Sequence, residues 1–270
     1  MKKILLIFTL IILSIPVLAF SSAGQCTILM DQDSGRILYA KNVNTVRSVA
    51  SISKIMTAIL AIESNKLDSI VEIGEEINGA YGSGIYIKVG EQMSLRDLVY
   101  GLMLRSGNDA ALAIAHYVGG SVEKFVEMMN VKAKEIGMKN TIFNNPSGLD
   151  NDKKGNYSTA YDMAVLTRYA MQNKEYQKIV STKKHTVKTN MNTYVWINKN
   201  KLLTIYKYTT GGKTGFTEIA KRTLVSTASK DNFNLIVVTL NNGKDFNEHV
   251  ELYKEAFEVY KRYQILKKGV

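Results

Sequence analysis

Ala50-Ser51-Ile52-Ser53-Lys54-Ile55-Met56-Thr57 opens the stretch whose reading decides the fold. Apolar residues follow at 52, 55, 56, 59 and 60, the spacing of one helix face, and Ala58, Ala61 and Ile62 fill much of the remaining circumference. A helix apolar nearly all round is a buried helix. It carries Ser51 in its first turn and Lys54 three residues later, on the same side. Burial disfavours an ammonium ion and lowers its pKa, which is the condition under which an amine acts as a base toward a neighbouring hydroxyl. Ser-x-x-Lys also occurs at Ser121 to Lys124 and at Ser181 to Lys184. Ser121 follows Gly119-Gly120 and opens a charged amphipathic stretch, so it reads as a helix N-cap. Ser181 lies in a polar run among solvated lysines.

Upstream of this helix, residues 26–31 and 36–41 are β-rich runs around Gln32-Asp33-Ser34-Gly35, the chemistry of a hairpin. Asp31-x-Asp33 is no calcium loop, because its twelfth position is Asn42 and not glutamate. Downstream come short extended pieces around Ile85-Tyr86-Ile87-Lys88, then a helix beginning at Ser94. That helix stops at Ser106-Gly107-Asn108, where the glycine is expected to turn the backbone sharply and project a hydroxyl and a carboxamide. The same residues also read as a C-cap followed by an N-cap. Helices are expected from Ser121 to Ile136 and from Thr159 to about Met171, the second opened by a capping box. Between them, 137–150 (GMKNTIFNNPSGLD) is irregular. Residues 51 to about 180 thus form a helical block that interrupts the β pattern begun at 26. The pattern resumes with KHTVKT, TYVWIN, RTLVSTAS and FNLIVVTL, and a helix from Asn247 to about Tyr263 closes the chain. The class is α+β, with neither repeats nor low-complexity linkers.

A third segment, Thr210-Gly211-Gly212-Lys213-Thr214-Gly215-Phe216-Thr217, precedes the run at 222–229. Its glycines permit close approach to the backbone, and Lys213 and Thr214 offer a charge and a hydroxyl for a carboxylate. It is not a phosphate loop, since the leading glycine of Gly-x-x-x-x-Gly-Lys-Thr is missing.

Residues 1–23 read as a secretory signal: Lys2-Lys3, the apolar run Ile4 to Phe20, then Ser21-Ser22-Ala23, with cleavage expected after Ala23. An uncleaved anchor is the alternative. The rest, 24–270, is expected to be one domain without a further β-rich domain. The lone cysteine, Cys26, precludes an internal disulfide and reads as a core residue of the first strand. Lys and Arg number 35 against 24 Asp and Glu, a net charge of +11 that falls to +9 without Lys2 and Lys3. Such a balance suits weak association with an anionic wall or membrane surface; the basic residues are dispersed and carry no nucleic-acid motif. His116, His185 and His249 stand in no nucleophile-elbow or zinc pattern, so neither a histidine triad nor a metal is expected, and no cofactor is implied.

Ser-x-x-Lys, Ser-x-Asn and Lys-Thr-Gly in this order are the motif set of penicillin-binding proteins and class A β-lactamases. With ASISKIMT, LVYGLMLRSGNDAALAIAHYVGG, GMKNTIFNNPSGLD, YSTAYDMA and GGKTGFT, the chain resembles the low-molecular-mass penicillin-binding proteins that are D-alanyl-D-alanine carboxypeptidases. The lactamases usually place aspartate where Gly107 stands. The chain departs from the family at Thr209-Thr210, where an aspartate is common, and at Lys221-Arg222. The resemblance implies an antiparallel sheet flanked by helices, a helical subdomain inserted in it, and a cleft between the two. It further implies that Ser51 attacks the penultimate D-alanine carbonyl, Lys54 takes its proton and Ser106 relays a proton to the leaving amine. Asn108 would hold the substrate amide and orient Lys54. Lys213 and Thr214 would bind the terminal carboxylate, with Gly215, Phe216 and Thr217 completing the substrate-binding residues and the N–H groups of Ser51 and Phe216 stabilising the oxyanion. Peptidoglycan stem peptides and β-lactams are the implied partners, and wall biogenesis and cell shape the implied process. A β-lactamase, or a non-catalytic wall-binding protein of this fold, are the alternatives.

Overall fold

The computed structural model describes residues 20–150 and 155–268. Most of the expected signal segment, and Asp152, lie outside the described residues. The order is β1 (Cys26–Asp31), β2 (Ile37–Lys41), β3 (Arg47–Ser48), a 3-10 turn (Ala50–Ser53), α1 (Lys54–Glu63) and β4 (Ile70–Glu72). Then follow β5 (Gln92–Ser94), α2 (Leu95–Arg105), α3 (Asn108–Gly119), α4 (Val122–Glu135), β6 (Tyr157–Ser158), α5 (Ala160–Ala170) and α6 (Lys174–Ser181). β7 (Lys184–Lys188), β8 (Thr193–Ile197), α7 (Leu202–Ile205), β9 (Thr209–Thr217), β10 (Lys221–Lys230), β11 (Phe233–Leu240) and α8 (Asp245–Lys268) complete the chain.

Five strands form one antiparallel sheet in the order β2-β1-β11-β10-β9. Strand alternation divides its side chains between two cores. Ile28, Met30, Val225, Ile236 and Val238 face the helical block, while Leu29, Leu235 and Val237 meet Leu252, Tyr253 and Phe257 of α8. Covered on both faces, β11 is apolar along nearly its whole length. α1 is buried from Lys54 to Ile62, as its apolar circumference requires. Ser94, Ser121, Thr159 and Asn173 cap their helices by accepting from backbone N–H groups two or three residues on. Cys26 is buried at the head of β1. Near the N-terminal boundary, the Ala23 N–H donates to Glu248 at 2.9 Å and Lys41 Nζ donates to the Ser22 carbonyl at 2.7 Å.

Three expectations are corrected. The hairpin β7-β8 does not join the main sheet; it forms a two-stranded sheet of its own, with Val187 and Trp196 turned into the core beside α2. Residues 85–88 form no strand although Ile85 and Ile87 alternate inward. Tyr86 takes a left-handed φ of +63°, and the N–H groups of Ile85 and Tyr86 donate to the Asp109 carboxylate instead of to a neighbouring strand. The Lys-Thr-Gly segment, read only as a stretch before a strand, is itself the edge strand β9. Its three glycines and its threonines hide the period-two signal on which a strand is recognised.

Candidate active site

Ser51 sits in the 3-10 turn and Lys54 opens α1, so one tight turn brings their side chains together: Lys54 Nζ lies 3.1 Å from Ser51 Oγ. Nζ also donates to Asn108 Oδ1 at 2.7 Å and, closer still, to the Ser147 carbonyl. Three acceptors satisfy an ammonium; a neutral amine keeps two of them and turns its lone pair to Ser51. Burial, followed by the charges of Lys213 and Lys199, holds Lys54 well below the ordinary lysine range, against the opposing pull of Asp109. The arrangement is that of a hydroxyl with an adjacent base oriented by fixed acceptors.

The second segment joins α2 to α3. Here the left-handed residue is Ser106 (φ +64°), the C-cap of α2, and not Gly107, whose φ is −59°. Glycine is needed at 107 for space, because a Cβ would stand 2.9 Å from Asp109 Oδ1 and 3.1 Å from Ile85 Cγ2. Asn108 is fixed by its own N–H on the Ser83 carbonyl at 2.7 Å and by Nδ2 on the Tyr81 carbonyl at 2.6 Å. Its carboxamide oxygen is thereby aimed at Lys54.

On β9, Lys213 Nζ donates to Ser106 Oγ at 3.0 Å and to the Thr214 carbonyl at 2.7 Å. Burial and then the nearby Lys199 push its pKa down to about 7. Gly215 lets this strand press on the nucleophile's turn: a Cβ there would lie 2.9 Å from Ser51 N and 2.4 Å from Thr223 Oγ1. Thr214, Gly215 and Phe216 line a cleft of about 330 Å³ together with Ser51 and Ser106. Thr217 does not line it. Its hydroxyl donates to Asp150, whose carboxylate also accepts from Ser48 Oγ at 2.7 Å, so Thr217 and Asp150 tie β9 to β3. Thr217, expected in the substrate-binding segment, makes this clasp beside the cleft.

Sequence reasoning missed the Ser147 carbonyl, since a backbone acceptor leaves no signature in residue types. It also missed Ser83, Lys199, Asp245 and Phe246 in the cleft wall. Arg222, noted only as a departure, forms a paired bridge to Asp245 at 2.6 and 3.1 Å there. The other two Ser-x-x-Lys occurrences stay outside the cleft: Ser121 caps α4 and Ser181 bonds the Lys178 carbonyl at the end of α6. His116 is exposed, His185 bridges to Asp97 and His249 is buried between β10, β11 and α8.

A family model described as D-alanyl-D-alanine carboxypeptidase matches residues 16–244. The chain is 35% identical to D-alanyl-D-alanine carboxypeptidase DacF of Bacillus subtilis over 91% of its own length, spanning 65% of that relative. With DacB2 of Mycobacterium tuberculosis the identity is 33%, over 80% of this chain and 74% of the relative. The crystal structure of a D-alanyl-D-alanine carboxypeptidase from Mycobacterium tuberculosis H37Rv superposes with a TM-score of 0.84 at 30% identity, over 88% of this chain and 92% of that one. A mutant of Streptomyces K15 DD-transpeptidase gives 0.81 at 31%, over 88% and 99%. Motif, geometry and likeness agree, and the chain belongs to the D-alanyl-D-alanine carboxypeptidase family of serine peptidases.

Proposed function

We propose that this chain is a serine-type D-Ala-D-Ala carboxypeptidase that trims the terminal D-alanine from peptidoglycan stem peptides. The observation that carries the proposal is the 3.1 Å contact between Ser51 Oγ and a fully buried Lys54 whose other hydrogens have fixed acceptors. Neutral Lys54 takes the Ser51 proton as Oγ attacks the penultimate carbonyl. The oxyanion is held by the Ser51 and Phe216 N–H groups, each such donor contributing roughly 2.7–4 kcal/mol in a comparable hydrolase. Ser106, between the cleft and Lys213, passes a proton to the leaving amine. Lys213 and Thr214 hold the terminal carboxylate, Asn108 the substrate amide. Water then releases the acyl group.

Penicillins present the same acyl centre and label Ser51 covalently. The positive, apolar and small-residue pattern of residues 1–23 supports action outside the cytoplasm, where such peptides lie. Among the described residues no helix is long and apolar enough to cross a membrane.

The test is incubation of purified protein with muropeptides ending in D-Ala-D-Ala, with products identified by mass, beside labelling by a tagged penicillin. D-Alanine release and a label lost in Ser51→Ala are expected. Absence of release, or label persisting in Ser51→Ala or mapping to Ser121 or Ser181, overturns the proposal.

A further inference from the structure

A second concavity of about 360 Å³ lies back to back with the catalytic cleft. Three chain segments line both: Ser83 belongs to the cleft and Gly84 to the groove, Ser106 to the cleft and Arg105 to the groove, Lys199 to the cleft and Ile197 to the groove. A hydrogen bond of 3.0 Å from Lys199 Nζ to Ser83 Oγ forms the sill between them.

Along one side the groove is bordered by five consecutive residues, Thr193 to Ile197, which make up the whole of β8. A sheet face would contribute alternate residues; five in a row mark a strand edge. Among the described residues β8 pairs only with β7, so its other edge carries no second strand there. The opposite side is the segment Gly84 to Tyr86, where glycine leaves the backbone bare. Tyr86 is held left-handed by the buried Asp109 carboxylate, which accepts its N–H at 2.6 Å, and its ring stands 76% exposed beside the groove. The left-handed backbone and the Asp109 anchor thus hold this ring at the groove's rim, where an extended ligand can pack on it. Val195 and Ile197 are likewise exposed. Arg105 supplies the charge: its guanidinium bonds the Ile197 carbonyl at 3.3 Å, and no carboxylate among the described residues pairs with it.

An open strand edge, alternating apolar side chains and one uncompensated cation fit an extended acidic peptide that adds to β8. We infer that this groove binds a second, acidic peptide strand of the wall, neighbouring the one trimmed in the cleft. That its occupant is wall peptide rests on the proposed function; the preference for an extended acidic strand rests on the groove alone.

The experiment uses full-length Ser51→Ala protein and a fluorescent pentapeptide of alternating valine and threonine with a central glutamate, blocked at both ends so that it has no terminal carboxylate for the cleft. Its central-glutamine counterpart is the comparison. The glutamate peptide should bind on the order of tenfold more tightly, the yield of one charge-assisted hydrogen bond. Adding Arg105→Gln should erase that difference. Adding Tyr86→Gly should weaken both peptides several-fold without lowering the melting temperature, since glycine accepts this φ freely. No binding, equal binding of the two peptides, a preference surviving Arg105→Gln, or undiminished binding in Tyr86→Gly overturns the inference. D-Alanine release by the wild type judges the proposed function separately, so the two can fail independently.

Discussion

At the scale of single residues, the two buried lysines set the pH behaviour. Burial and the nearby Lys199 push the Lys213 pKa down to about 7, so the proposed attraction for a terminal carboxylate should be strongest on the acid side. A peptide with a free C-terminus should outperform its C-terminal amide on the order of 10- to 100-fold at pH 6, the value of a charge-assisted hydrogen bond of ~1.5–3 kcal/mol. That advantage should shrink as kcat/KM is followed above pH 7; a constant ratio would remove Lys213 from carboxylate binding. Ser106 gives a second prediction. A non-glycine residue at φ +64° carries strain of ~1–2 kcal/mol. Ser106→Gly should therefore raise the urea midpoint, by about 1 kcal/mol of stability, while Ser106→Ala keeps the strain and does not; both should slow D-alanine release. Equal midpoints for the two variants would show that the strain is not stored there. That Ser51, Lys54, Ser106, Asn108 and Lys213 would be brought together was legible because the proposed chemistry demands each residue type at a fixed spacing. The strain on Ser106 was not, since the sequence pointed to the glycine beside it.

At the scale of elements, the irregular stretch 137–150 is the least legible part and the most constrained. Gly148 has φ +78°, and a Cβ there would stand 2.1 Å from the Ala50 carbonyl oxygen and 2.4 Å from Ser53 Oγ. Gly148→Ala should cost ~3 kcal/mol or more in chemical denaturation, through strain and overpacking together. It should also remove penicillin labelling by displacing the neighbouring Ser147 carbonyl from Lys54. Labelling at the wild-type rate would separate that carbonyl from the chemistry. The same stretch decides between peptidase and lactamase. Release of a penicilloyl group needs a placed carboxylate to activate water, and Asp150 is occupied by Ser48 and Thr217. Bound penicillin should persist on Ser51 while D-alanine release from a peptide continues; rapid penicillin turnover without D-alanine release would favour the lactamase. Helices were readable from caps and period, because both are local. β9 and the separate β7-β8 hairpin were not, because their partners are chosen by packing far away in sequence.

At the scale of the whole molecule, α8 is fastened to the sheet by a buried polar knot. Ser226 Oγ meets His249 Nδ1 at 2.6 Å and Tyr253 OH at 2.8 Å, while Thr239 Oγ1 meets His249 Nε2 at 2.9 Å. Burial pushes His249 down to about 3 from an ordinary value of 6.5. The folded state thus refuses a proton that the unfolded chain accepts, so this contribution is complete above pH 6.5 and is lost as pH falls toward 3. Between pH 6 and 5, above the carboxylate range, unfolding free energy should drop by about 1.2 kcal/mol. A flat profile there would show that His249 is protonated in place. The order of β runs, helical block and further β runs was legible from apolar periodicity and the antiparallel sheet flanked by helices from the family resemblance, whereas the burial of the sheet on both faces was not read. The polar knot was not, because nothing local marks His249 as lying under a helix. One consequence follows from Lys54, whose three acceptors come from the turn at 51, the α2–α3 junction and the carbonyl at 147. In a chain that has not gathered these parts, the lysine is an ordinary protonated amine and the serine an ordinary alcohol, so an incompletely folded molecule is chemically silent. A covalent penicillin tag then becomes a census of finished molecules: after dilution from urea, the tagged fraction should rise later than the helical circular dichroism signal, counting only chains whose distant segments have met.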